Sequence, residues 1–204
     1  MGRLRISAPT ILASQKFAGF LRQYREENPG VAIEIDLSDD LRDAIDEQYD
    51  LIVRIAGLSA LIKGADLLFP TAGIICAGPD DRREISTPED LAQMCWIKTP
   101  TMGQTLTLSE ANGRGNITVT PRYNMVVNSG QLVRALVDQG VGFAIFPDFV
   151  IADALAEGQI FNVFPEWSAG ERGVFAIHSA RNAKLSIATG FVEGWKAYIA
   201  QTCS

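Results

Sequence analysis

The chain has 204 residues, 47% hydrophobic and 21% charged, an ordinary globular balance with enough length to bury one large or two small cores. Its 18 basic and 24 acidic residues leave a net charge of −6, which argues against this chain gripping a phosphate backbone by itself. No apolar run reaches the roughly 18 residues that a membrane span needs.

The opening residues run straight into a strand pattern rather than a secretory leader, so a cytoplasmic location is expected. Cys76, Cys95 and Cys203 are odd in number and lack CxxC spacing, which fits reduced thiols. Leu4, Ile6 and Ala8 alternate with polar neighbours and predict a first strand, ended by Pro9 and Thr10. A helix is expected next, opened by Thr10, with Phe17, Phe20, Leu21 and Tyr24 on one stripe and a stop at Asn28-Pro29-Gly30. Val31, Ile33, Ile35 and Leu37 alternate as a second strand. Ser38-Asp39-Asp40 supplies a cap and first-turn acids for a helix with Leu41, Ala44 and Ile45. Asp50 to Ile55 reads as a third strand. This strand–helix alternation predicts a parallel sheet with right-handed crossovers.

Gly57 to Phe69 shows no clear period, and Ile74 to Ala77 reads as a fourth strand closed by Gly78-Pro79. Thr87, Pro88 and Asp90 have the spacing of a capping box with proline at the first helical position. Trp96 to Lys98 is a further strand, ended by Thr99-Pro100-Thr101, and Ser109 to Asn116 reads as a hairpin-like loop. Val119, Pro121, Tyr123 and Met125 alternate, and the proline assigns them to an edge strand or a bend. From Ser129 a helix is expected with Leu132, Ala135 and Leu136 on its apolar face. Gly140 stops it, and a buried strand runs from Val141 to Phe146, ending at Pro147. A helix over 148–157, strands at 160–163 and 174–177, and a closing helix with Ile187, Phe191, Trp195 and Tyr198 complete the chain.

The strand–helix pattern forms two sets, one before about residue 74 and one after it, and the closing helix has no partner in the second. The expected fold class is α/β: two lobes joined by two crossover strands, with a cleft between them at the carboxyl ends of the parallel strands. The expected boundaries are 1–73 with 180–204 for the first lobe and 74–179 for the second.

Several segments resemble the effector-binding domain of LysR-type transcriptional regulators. They are Gly2-Arg3-Leu4-Arg5-Ile6-Ser7-Ala8-Pro9, Asn28-Pro29-Gly30-Val31, Leu37-Ser38-Asp39, Tyr49-Asp50-Leu51-Ile52-Val53-Arg54, Thr87-Pro88-Glu89-Asp90-Leu91 and Gln139-Gly140-Val141-Gly142-Phe143-Ala144-Ile145-Phe146-Pro147. They follow one another at family spacing over essentially the whole length. The segment Lys63-Gly64-Ala65-Asp66 departs from the usual family pattern. The resemblance implies two Rossmann-like lobes similar to type 2 periplasmic binding proteins, with a small-molecule effector in the interlobe cleft. It also implies an N-terminal winged helix-turn-helix that carries DNA binding and is expected to be missing here. Pairing is implied as a homodimer, and as a tetramer for the full-length protein. DNA would be a partner only through the missing domain, no membrane partner is expected, and the effector would be an organic or aromatic acid.

Against that background, eight residues are candidate effector contacts. Thr10 and Ser38 each follow a strand and either cap a helix or offer a hydroxyl beside N–H groups that favour an anion. Arg54 either snorkels, pairs with a carboxylate, or anchors an acidic effector or the hinge. Thr99 and Thr101 flank a proline in a fixed extended shape. Asn128 and Ser129 combine polar side chains with a helix start. Phe146 is either core or a wall of the cleft. His178, the single histidine, has no nucleophile elbow to serve, so no enzyme activity is expected. No cofactor and no metal site are expected, because no His/Cys cluster has ligand spacing. Cys76 and Cys95 are either a redox pair or buried apolar thiols. The competing reading is a solute-binding protein of a transport system, with the same architecture.

Overall fold

The structure is a computed structural model describing residues 2–39, 49–58, 64–81, 85–178 and 185–202. The helix expected to carry Leu41, Ala44 and Ile45 lies outside the described residues, as do Asp40, Lys63 and Cys203. The chain folds as two compact units, Met1–Pro70 with Gly173–Ser204, and Thr71–Arg172.

The first unit is built on β1 (Gly2–Ala8), β2 (Val31–Leu37) and β3 (Leu51–Gly57). β1 lies between the other two and runs parallel to both, with Ala8 opposite Leu37 and Ser7 opposite Ile52. Beyond β3 come β12 (Glu171–His178) and β4 (Ala65–Ala77). The segment that looked irregular in sequence is thus the start of a thirteen-residue strand. Its apolar residues keep no period of two because its pairing partners change along its length, β9 and β10 taking its last five residues.

The first long helix starts later than expected. Thr10–Leu12 makes one 3-10 turn, Ala13 leaves it, and α1 (Gln15–Glu27) opens at Ser14, whose hydroxyl accepts the Phe17 N–H. Phe17, Phe20 and Tyr24 are buried on its inner face. They meet α4 (Leu185–Thr202), where Phe191 and Trp195 are almost fully buried. The Phe20 and Trp195 rings stack 5.9 Å apart, Phe17 lies 4.9 Å from Trp195, and Phe191 meets Phe20 edge-on at 5.0 Å. Gly19 admits the Tyr198 hydroxyl, which would stand 2.4 Å from a Cβ placed there.

In the second unit β4 is followed by β9 (Phe143–Pro147), β5 (Cys95–Lys98) and β8 (Arg122–Val126). β5 is parallel to both β8 and β9, but β4 is antiparallel to β9, so the sheet is mixed rather than wholly parallel. β10 (Phe161–Asn162) pairs with β4. A separate three-stranded sheet joins β6 (Leu106–Glu110), β7 (Asn116–Val119) and β11 (Trp167–Ser168). The hairpin of β6 and β7 matches the glycine-containing loop seen in sequence. The alternation from Val119 to Met125 proves to be two strands in different sheets. Pro121, which has no N–H to donate, falls in the break between them.

The capping box forms: Asp90 accepts the N–H groups of Thr87 at 2.8 Å and Ser86 at 2.9 Å, which holds its carboxyl below the usual range. It opens a six-residue 3-10 helix, Pro88–Gln93. The core of this unit gathers Ile75, Leu91, Trp96, Leu108 and Phe143, with the Trp96 and Phe143 rings stacked 6.3 Å apart.

α2 (Gly130–Asp138) starts at Ser129 as expected, but buries a different face. Val133 and Val137 point into the protein, whereas Leu132 is 51% exposed and Ala135 is exposed. Two apolar stripes share this helix, and the position of β9 and β5 selects the valine one. Gly140 ends it at φ +68°, the left-handed region that glycine adopts most readily. The Gly140 N–H bonds the Val137 carbonyl and the Val141 N–H reaches Leu136, the Schellman pattern. α3 (Asp148–Ala156) follows β9 directly.

Candidate functional site

Each unit gathers its candidate residues at one edge of its sheet. In the first unit the carboxyl ends of β1 and β2 lie side by side, and the Ser38 N–H extends their ladder to Ala8 at 2.9 Å. Asp39 then ties the two strand ends together. One carboxylate oxygen accepts the Thr10 N–H at 3.1 Å and the other takes the Thr10 hydroxyl. An anion does stand at the amide of Thr10, and it is the chain's own carboxylate. Thr10 does not cap the long helix; Ser14 performs that role.

Arg54, only 7% exposed, leaves β3 and turns onto β1. Nη1 and Nη2 both donate to the Ser7 hydroxyl at 3.2 Å, and Nη1 also donates to the Val53 carbonyl at 2.7 Å. Ser7, itself fully buried, is a partner that sequence reading missed. No local signal marked it: Ser7 falls on the polar face of the β1 alternation with Arg3 and Arg5, and only the Arg54 side chain laid over it makes it buried.

In the second unit β9, β5 and β8 all end on the same edge, since all three are parallel. Lys98 lies opposite Val126, and the Val127 N–H bonds the Lys98 carbonyl at 2.9 Å. Thr99 and Thr101 follow β5, and Asn128 and Ser129 follow β8, at the same edge of the sheet. The two threonine hydroxyls stand 3.1 Å apart, and the Met102 N–H closes a turn onto the Thr99 carbonyl at 3.1 Å. Asn128 is exposed, while the Ser129 hydroxyl accepts the Leu132 N–H at 3.4 Å as the cap of α2. Replacing Ser129 with alanine removes that acceptor. A loss of about 1 kcal/mol is expected, measurable as a lower denaturant midpoint at unchanged slope. No loss would deny the cap.

Phe146 is 2% exposed and pairs with Ile74, so it backs the edge from inside. Beyond it, Asp148 accepts the Thr71 hydroxyl at 2.5 Å and the amides of Phe149 at 2.7 Å and Ala72 at 3.3 Å. Sequence reading missed Asp148 and Lys98. Lys98 ends a buried strand and Asp148 follows one, places where a charge is costly unless it is bonded.

The remaining chemistry is elsewhere. Cys76 is fully buried, and burial pushes its thiol up to about 12. Cys95 donates its thiol to Asn124 at 3.0 Å. The two cysteines sit on β4 and β5 with β9 between them, two strand spacings of about 4.8 Å each, too far for a disulfide. They are separate thiols, not a redox pair. His178 Nε2 lies 3.5 Å from Asp66. Among the described residues no group of three or more His, Cys, Asp or Glu side chains could hold a metal ion. No helix of the described residues is long and apolar enough to cross a membrane.

The order of strands and helices defines a two-unit α/β architecture with polar residues collected at the carboxyl ends of parallel strands. The model of the LysR substrate binding domain matches residues 1–195, and the chain belongs to that family. It is 29% identical to the HTH-type transcriptional regulator PtxR of Pseudomonas aeruginosa, over 97% of this chain and 64% of that protein. It is 23% identical to the HTH-type transcriptional activator TtdR of Escherichia coli, over 95% of this chain and again 64% of the relative. The chain thus spans a little under two thirds of the length of these relatives. Among solved structures, the regulatory domain of CrgA from Neisseria meningitidis superimposes with a TM-score of 0.77 at 20% identity, covering 95% of this chain and 98% of that one. The effector domain of AmpR from Pseudomonas aeruginosa gives 0.77 at 18% identity, with 98% of each chain covered.

Proposed function

We propose that this chain is the ligand-sensing regulatory domain of a LysR-type transcriptional regulator. The family match over residues 1–195 carries the reading. A small organic acid binds at these strand ends, with Thr10, Ser38 and Arg54 as its contacts in the first unit and Thr99, Thr101, Asn128 and Ser129 in the second, backed by Phe146. DNA binding belongs to an N-terminal winged helix-turn-helix of the whole protein. The domain pairs as a homodimer, within a tetramer of the full-length protein, and works in the cytoplasm. The effector's differential affinity for two conformations of the domain shifts the geometry of the attached DNA-binding parts. The relatives named above are regulators of transcription by name, which favours this reading over a transport role.

A thermal-shift screen of small acids and neutral analogues tests it. A ligand that binds only the folded state raises the midpoint, by the equivalent of about 2.7 kcal/mol at a hundred times its Kd. A screen in which nothing raises the midpoint counts against the reading. With a hit in hand, Thr99→Val should weaken binding by about 1 kcal/mol, some fivefold, through loss of one neutral hydrogen bond. Thr10→Val should also weaken binding, here by releasing Asp39 from the Thr10 hydroxyl. Unchanged affinity in both variants removes these positions from the site.

A further inference from the structure

We propose that Lys98 is the anion receptor of the second unit and that it selects a carboxylate as the effector's anchoring group. This rests on the effector reading above. Lys98 ends β5 and is 7% exposed. Its ammonium donates to the Gly103 carbonyl at 2.8 Å, so the Thr99–Gly103 turn folds over it. The Tyr123 ring, from neighbouring β8, stands 4.3 Å away and the Trp96 ring 5.6 Å away.

An ammonium has three N–H donors, and one carbonyl takes one of them. Two ring faces lower the cost of burying the charge but do not neutralise it. No carboxylate of the described residues forms an ion pair with Lys98. A buried cation without a counter-ion is costly to fold around. A chain with 24 acidic residues could have supplied one.

The first unit supplies the contrast. At the matching strand ends Asp39 already occupies the N–H and hydroxyl of Thr10. An incoming anion would have to displace that carboxylate there, whereas at Lys98 it completes an ion pair. The surroundings suit a small planar acid. Of the paired hydroxyls of Thr99 and Thr101 one donates to the other, which leaves one O–H to donate to a ligand; Thr101 is exposed, and Tyr123 is 41% exposed beside the ammonium. The lysine is therefore a specificity-determining residue: acids bind, and their neutral isosteres do not.

Lysine-ammonium ¹H–¹⁵N spectra of the chain test this, with Lys98→Met identifying the signal. Sodium acetate and sodium benzoate are the probes, and acetamide and benzamide their neutral counterparts. Both carboxylates should shift the Lys98 signal and both amides should leave it in place. Lys98→Met should weaken carboxylate binding about ten- to a hundredfold, the loss of one charge-assisted bond, and Lys98→Arg should restore part of it. Folding of the variants is checked by the unchanged backbone amide spectrum of the β6–β7 hairpin. Amides that bind as tightly as the acids, a Lys98→Met variant that binds carboxylates like the natural chain, or no response of the Lys98 signal to either carboxylate would each overturn the assignment. The effector reading itself falls only if the wider thermal-shift panel, neutral compounds included, also yields nothing.

Discussion

Replacing Phe20 with alanine should destabilise the first unit by about 3–5 kcal/mol, the range for removing a large buried aromatic side chain. For a protein of this size that is a fall of roughly 6–20 °C in the thermal midpoint. Phe20 is 2% exposed and stands at the centre of the aromatic cluster. Its ring contacts Phe17 and Tyr24 on its own helix, and Phe191, Trp195 and Tyr198 on α4. α1 and α4 come from opposite ends of the chain and are joined by this packing, with the Tyr24 hydroxyl donating to the Ile187 carbonyl at 3.4 Å. The cavity left by alanine cannot be filled from one helix alone. Phe20→Leu, which keeps most of the apolar volume, should cost clearly less. A melt in which Phe20→Ala shifts the midpoint by no more than Phe20→Leu would mean that the cluster does not hold these helices together.

Gly142→Ala should be the second most damaging of the changes considered. A Cβ built at Gly142 meets the Cys95 carbonyl oxygen at 2.1 Å and the Cys95 carbonyl carbon at 3.0 Å. Both are backbone atoms of β5, which cannot swing away as a side chain would. β5 is held at Trp96 by its pairing with Phe143, and Trp96 is packed against the Phe143 ring. The expected loss is at the upper end of the ~1–3 kcal/mol that overpacking costs. Gly140→Ala makes the natural control. Gly140 has φ +68° but open space around it, with the nearest atom, Asp80 Cβ, at 3.8 Å. Its cost is the left-handed conformation alone, about 1–2 kcal/mol. Gly142→Ala should therefore melt lower than Gly140→Ala, and the reverse order would refute the close-approach account. Since β5 carries Lys98 and leads into Thr99, a displaced β5 should also weaken any ligand bound at that edge.

The amphipathic elements were legible because their signal is local. Alternation in β1 and β2, the stripe Phe17, Phe20 and Tyr24, and the capping box at Thr87-Pro88-Glu89-Asp90 depend on neighbours within a few residues. Errors fell where two local readings were equally good or where a partner was remote. α2 offers both Leu132-Ala135-Leu136 and Val133-Val137 as apolar stripes, and only the packing of β9 and β5 decides between them. The strand Ala65–Ala77 lacks a period because its partners change along it. The site was legible as a set of strand ends and helix caps, but its charges were not. Asp39 reads as a first-turn acid and Lys98 as the last residue of a strand. Neither reveals that one is bonded to Thr10 while the other is buried with no carboxylate of the described residues paired to it.

The sequence by itself therefore determined the α/β class, the chain's resemblance to its family and the glycine turn between α2 and β9. These follow from periodicity, backbone sterics and motif spacing, all of which act along the chain. Tertiary structure alone decided which face of α2 is buried and that β4 runs antiparallel to β9. It also decided that Gly142 is required by the Cys95 carbonyl, that Asp39 sits at Thr10 and that Lys98 is buried under the Thr99–Gly103 turn. Each of those depends on which strands become neighbours, and that is settled by long-range packing that no local pattern encodes.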